Sequence, residues 1–171
     1  MKKVAVEDVE PVPHLMGINS DRRPISRVVD DMGFAMVVFE LEPGETFSGA
    51  PHKHFNQEEL FYVLEGTATF ECTTGPGAES DPVEIGPNEL IHFHADDVYQ
   101  TGGNRSDDVV RGIAIGSPGA RHEWEQTEAL LECDRCGRET RHSLVPIEGV
   151  DDVRMPDLDE MVVTCKACGS E

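Results

Sequence analysis

No stretch of this sequence approaches the roughly eighteen apolar residues that a membrane span requires. Its start, Met1-Lys2-Lys3 turning acidic by Glu7, carries no signal-peptide core. A cytoplasmic protein without membrane contact is the expectation. Positive charge is also scarce: 14 Lys and Arg stand against 34 Asp and Glu, a net charge of -20, and only Lys2, Lys3, Lys53 and Lys166 are lysines. With no basic stripe interleaved with aromatics, nucleic acid is not an expected partner. Sustained helical periodicity is missing too, so a helical architecture is not expected. Disulfide frameworks are argued against by spacing, because four of the five cysteines form two C-x-x-C pairs and Cys72 stands alone, as a buried and unreactive thiol.

What the chain does contain is short β-rich runs. They fall at residues 34–41, 46–49, 52–54, 60–64, 67–72, 82–85, 89–94, 98–101 and 109–115, separated by turn chemistry such as Pro43-Gly44 and Thr74-Gly75-Pro76-Gly77. Many short strands between Gly and Pro read as a sandwich or small barrel over residues 1–120. Phe61, Tyr62, Phe70 and Phe93 are expected mostly as its core. Ahead of it, residues 3–9 suggest an edge strand that Pro11 and Pro13 terminate, His14 is expected at the surface, and Arg22, Arg23 and Arg27 are expected in a solvated loop, the alternative being a ligand-facing or dimer-facing patch.

The richest stretch is residues 44–66, G-E-T-F-S-G-A-P-H-K-H-F-N-Q-E-E-L-F-Y-V-L-E-G. His52 and His54 are alternate residues, so on a strand both imidazoles point to one side. Glu59 follows a short polar loop and opens the next apolar strand. Two imidazoles and a carboxylate make a partial divalent-metal site, the alternative being a hydrogen-bonded cluster without metal. The pattern resembles the first motif of the cupin superfamily, which implies metal binding by His52, His54 and Glu59, with Gly66 as the turn glycine. The fold implied is a cupin-like double-stranded β-helix, a jelly-roll barrel.

Residues 85–100 resemble the second cupin motif in altered form. His94 and Asp96 occupy the places of a Pro and a Gly, Tyr99 occupies the place of the histidine ligand, and Asn104 comes one position late after Gly102-Gly103. The fourth ligand is therefore open among Tyr99 as a phenolate, Gln100 as an amide oxygen after a bulge, and water. His92 and His94 share a strand face, and one of them could reach the cavity. Iron, manganese, nickel and zinc are all compatible with two imidazoles and one carboxylate.

Composition shifts after residue 120. Residues 121–131, with the only tryptophan, Trp124, are expected as a linker containing a short helix over 123–131, and residues 132–171 as a separate small unit. That unit holds Cys133-Asp134-Arg135-Cys136-Gly137 and Cys165-Lys166-Ala167-Cys168-Gly169. Each C-x-x-C-G knuckle aims two thiolates at one point, and four thiolates close a tetrahedral zinc site. The arrangement resembles a zinc ribbon, and also rubredoxin. Strands are expected at 141–145 and 160–164 with an acidic loop over 151–159 between them, and His142 is expected to be exposed.

Two functions follow from this reading. One is a metal-anchored small-molecule binding or sensing module whose ribbon contacts a protein partner or stabilises the barrel. The other is a metal-dependent cupin enzyme of dioxygenase or isomerase type, with Tyr99 or Gln100 orienting an oxygen-bearing substrate. The cupin resemblance also implies a homodimer, and the acidic composition resembles the solvated surfaces of proteins from extreme halophiles.

Overall fold

Side-chain alternation sets the inward faces of the barrel. The computed structural model describes every residue except 16, 30, 121, 122, 149–155 and 157, with the backbone alone at 158. The strands are β1 (Asp21–Pro24), β2 (Ala35–Leu41), β3 (His52–His54), β4 (Glu58–Glu65), β5 (Ala68–Thr73), β6 (Asp81–Ile85), β7 (Leu90–Phe93), β8 (Tyr99–Gly103), β9 (Val110–Ser117), β10 (Thr127–Cys133), β11 (Arg138–Pro146) and β12 (Met161–Cys165). They form two antiparallel sheets, one in the order β1-β2-β9-β4-β7 and the other in the order β12-β11-β10-β3-β8-β5-β6. This is the double-stranded β-helix expected from the sequence. Among the described residues no helix is long and apolar enough to cross a membrane.

Val37, Phe39 and Leu41 of β2 and Phe61 and Val63 of β4 meet Phe70 of β5, Ile85 of β6 and Phe93 of β7 between the sheets. Phe47 lies stacked on Phe70 with centroids 5.4 Å apart and takes Phe39 edge-on at 5.0 Å. Burying each such side chain contributes on the order of 1.5–3 kcal/mol. Two glycines make the packing possible. A Cβ at Gly102 would lie 2.4 Å from the Phe70 ring, and Gly66, at φ +75°, would place one 2.4 Å from the Val109 carbonyl oxygen. Tyr62, expected with the core aromatics, is half-buried on the outer face and hydrogen-bonds Asn88.

Several expectations are corrected. The edge strand at residues 3–9 is instead a single 3-10 turn, Val6–Asp8, and the run at 46–49 contributes only an isolated bridge from Thr46 to Gly103. The arginine stretch is not a solvated loop: β1 pairs with β2, and alternation buries Arg22. His14 is buried as well. The expected helix over 123–131 is a 3-10 turn, Trp124–Gln126, running into β10, which pairs with β3 on one side and β11 on the other. Its Glu-Ala-Leu-Leu-Glu stretch has good helix formers, but two ladders of hydrogen bonds override that local preference. The boundary expected at residue 131 thus falls inside a strand, and the cysteine-bearing hairpin continues the barrel sheet. Most of the acidic loop expected at 151–159 lies outside the described residues.

Candidate functional site

β3 is short, and its buried-half-buried-buried pattern points His52 and His54 the same way, with ring centroids 5.2 Å apart and planes at 86°. Glu59 reaches them from β4 in the opposite sheet: its Oε2 is 3.7 Å from His52 Nε2 and its Oε1 is 3.6 Å from His54 Nε2. Gln100 of β8, the register partner of His52, completes the group. Its Nε2 donates to Glu59 Oε2 at 2.7 Å and lies 3.4 Å from His52 Nε2. Among the described residues its Oε1 is buried without a hydrogen-bond partner. A buried acceptor left unpaired is costly, while the amide turns Nε2 rather than Oε1 toward Glu59 and His52.

The other ring nitrogens fix the tautomers. His52 Nδ1 lies 3.0 Å from the Ala50 carbonyl, which can only accept, so Nδ1 carries the proton and Nε2 presents a lone pair. The Ser48 hydroxyl is 3.3 Å from the same nitrogen. Thr127 Oγ1 donates to the Glu123 carbonyl at 3.3 Å and so accepts from His54 Nδ1 at 3.0 Å. Both Nε2 lone pairs therefore face Glu59. Burial pushes the His54 pKa down to about 4, with His52 adding to that and Glu59 opposing it. For His52 burial is again the largest influence, but the hydrogen bond and charge of Glu59 and the Ala50 carbonyl outweigh it and raise the pKa.

Beside this group is a cavity of about 50 Å³, lined by His14, Arg22, Phe47, Ser48 and Gln57 together with His52 and Glu59. About 10–15 Å³ of such space already holds one water, so the cavity has room for a small polar ligand. Arg22 donates to the Val12 carbonyl at 3.1 Å, its guanidinium carbon is 6.0 Å from the Phe39 centroid, and burial together with the charge of Arg27 lowers its pKa to about 10. A buried guanidinium facing a small cavity favours an anionic or strongly polar oxygen there.

Tyr99 goes elsewhere. Being next to Gln100 on β8, it faces the opposite side, where its hydroxyl donates to Glu128 of β10. Burial and the Glu128 carboxylate raise its pKa above the usual phenol range, and its place against Glu128 keeps the hydroxyl out of the donor group. Glu128 also accepts from Lys166 and lies 3.6 Å from Arg141 Nε. Burial raises its pKa, but the hydrogen bonds from Lys166 and Tyr99 outweigh this and hold it below the ordinary carboxylate value. His92 and His94 do not enter the cavity either, since both project outward beside Glu58.

The four C-terminal cysteines Cys133, Cys136, Cys165 and Cys168 converge. Cys133 and Cys168 Sγ are 3.7 Å apart and those of Cys136 and Cys165 are 4.0 Å apart, all unbridged and all four within 4.8 Å of one another. Gly137 at φ +64° and Gly169 at φ +71° close the knuckles. The Thr140 hydroxyl lowers Cys165 to about 5, with burial opposing and the backbone amides of Ala167 and Cys168 assisting. Hydrogen bonds with the neighbouring thiols Cys168 and Cys133 raise Cys136 to about 12. Clustered thiolates repel one another unless a cation joins them, so the cluster fits a small C-terminal metal site. His142, expected exposed, is buried with Nδ1 donating to the Thr140 carbonyl at 3.0 Å, because its strand is covered on that side. It takes no place among the thiols.

Sequence reasoning missed Arg22, His14, Ser48, Gln57 and Thr127. Alternation in Asp21-Arg22-Arg23-Pro24 could have flagged Arg22. Nothing local marks the others, which reach the site from loops or from a neighbouring strand.

The fold and site together define a class, the all-β barrel with a buried imidazole and carboxylate group. Residues 37–116 match the family model described as Cupin domain. Among solved structures, a sugar phosphate isomerase of the cupin superfamily from Silicibacter pomeroyi aligns over 98% of this chain and 95% of its own, at 17% identity and a TM-score of 0.60. The polyketide cyclase RemF from Streptomyces resistomycificus aligns over 69% and 79% at 22% identity and a TM-score of 0.52. A conserved protein with a double-stranded β-helix domain from Klebsiella pneumoniae aligns over 70% and 91% at 17% identity and a TM-score of 0.50. At such identities the likeness is one of fold. A search of curated proteins found no match.

Proposed function

We propose that this protein is a metal-anchored small-molecule binding or sensing module. His52, His54 and Glu59 would hold a divalent iron, manganese, nickel or zinc ion, with Gln100 beside them. The observation that carries this reading is the buried convergence of two oriented Nε2 lone pairs on the Glu59 carboxylate, with Gln100 against the same group. When bound, the metal supplies a Lewis-acidic anchor for an oxygen ligand. Arg22 holds the charge of that ligand, and Phe47 excludes water from one side of it. In the C-terminal unit a zinc ribbon built on Cys133, Cys136, Cys165 and Cys168 stabilises the sheet or meets a protein partner. The same proposal takes the chain as a cytoplasmic homodimer.

Metal analysis of purified protein tests it. The expected result is one first-row ion lost on His52→Ala and a zinc ion lost only on Cys133→Ser. A barrel that takes up no metal in wild-type protein overturns it. Buried Arg22 also favours a second reading, a cupin enzyme acting on a small oxygen-bearing substrate, because the guanidinium would stabilise negative charge developing on oxygen. Turnover of a catechol, thiol or diketone with oxygen uptake, abolished by Arg22→Met with metal retained, would select it. Binding without turnover across small oxyacids would select the module.

A further inference from the structure

Glu58 and Glu59 are consecutive on β4, so alternation sends one carboxylate into the barrel and the other out of it. The outward one meets a second imidazole pair. β7 is the edge strand of its sheet and pairs with β4, with Glu59 opposite Phe93 and Leu60 opposite His92. Phe93 points into the core, whereas His92 and, just past the strand end, His94 project from the opposite face. Their rings are 4.6 Å apart between centroids and inclined at 77°. His92 Nε2 lies 2.9 Å from Glu58 Oε2, and His94 Nδ1 lies 4.0 Å from Glu58 Oε1.

These separations suit a shared cation. Ligands at about 2.0–2.2 Å from a tetrahedral ion are roughly 3.3 Å from one another, and the two observed distances straddle that value. All three side chains are exposed, so small rotamer changes close the difference without disturbing packed atoms. A chain of net charge -20 also concentrates cations at its surface.

We propose that His92, His94 and Glu58 form a metal site on the outer face of the barrel, separate from the buried donor group and from the thiols. Two imidazoles and one carboxylate select a borderline ion such as zinc, nickel or copper over magnesium or calcium, which need oxygen-rich shells. Three protein ligands leave a position open to water or to a donor on a second molecule.

Equilibrium dialysis of the full chain, with any metal on the four C-terminal cysteines in place, against increasing Ni²⁺ tests the site. Wild-type protein is expected to bind one more Ni²⁺ per chain than His94→Ala, and Glu58→Gln is expected to weaken that extra ion at least tenfold. Loss of a supporting hydrogen bond alone costs about 10–100-fold in metal affinity, so loss of a direct ligand should cost no less. His52→Ala/His94→Ala is expected to bind fewer ions than either single variant. If His52→Ala changes nothing while His94→Ala removes one ion, the buried site is absent and the outer one stands. Equal stoichiometry and affinity in wild type, His94→Ala and Glu58→Gln would reduce the trio to an exposed ion pair and overturn the proposal.

Discussion

Single side chains decide how well the buried donors are aimed, and Thr127 is the most informative of them. Its hydroxyl accepts from His54 Nδ1 and so keeps the Nε2 lone pair toward Glu59. Thr127→Ala should lower barrel metal affinity by about 10–100-fold, measured by chelator competition, while any metal held by the four C-terminal cysteines stays in place and Thr127→Ser restores most of the loss. Gly66 tests the backbone instead. With φ at +75° and no room for a Cβ beside the Val109 carbonyl, Gly66→Ala should cost about 1–3 kcal/mol in urea unfolding. The same scale shows where sequence reading was sufficient. His52, His54 and Glu59 were legible because alternation is a local property of any strand. Tyr99 and Gln100 were not separable, since a shift of one residue exchanges the faces and only the neighbouring strands fix which is correct.

At the scale of elements, β10 joins the buried donor group to the four-cysteine cluster. One end carries Thr127 against His54 and the other carries Cys133, with Glu128 between them on the opposite face, tied to Tyr99 and to Lys166 of the second knuckle. If the four cysteines hold a metal, Cys133→Ser should abolish hydrogen-exchange protection in β11 and β12, leaving β2, β4 and β9 protected by the phenylalanine core. The folded Glu128 carboxyl titrates below its unfolded value, so its contribution is present above pH 4.5 or so and is lost as pH falls through the folded value. Glu128→Gln should therefore cost about 1–3 kcal/mol at pH 7, less than a fully buried pair because Lys166 is half exposed, and the deficit should vanish in acid. The expected helix before Cys133 failed at this scale: helix propensity is weighed locally, whereas β10 is held by partners distant in the chain.

For the whole molecule, a net charge of -20 opposes compaction through self-repulsion. Added KCl should raise the Tm steadily from 0.1 to 1 M as the screening length falls from about 10 to about 3 Å. A Tm that is flat or falls over that range would show that the acidic surface does not limit stability. The cation-poor surface also leaves Arg22 conspicuous as a buried guanidinium in the barrel.

The sequence by itself determined the all-β class, the inward pair on β3 with its acid, and the two thiol knuckles. Each is a short-range pattern, set by a two-residue side-chain period or by one turn. Only the tertiary structure decided that Gln100 rather than Tyr99 meets the donors, that Arg22 and His14 line their cavity, and that the cysteine-bearing strands extend the barrel sheet. Those facts depend on which strands become neighbours and in what register. Such pairings are fixed by burial across the whole molecule, and no local window of residues contains them.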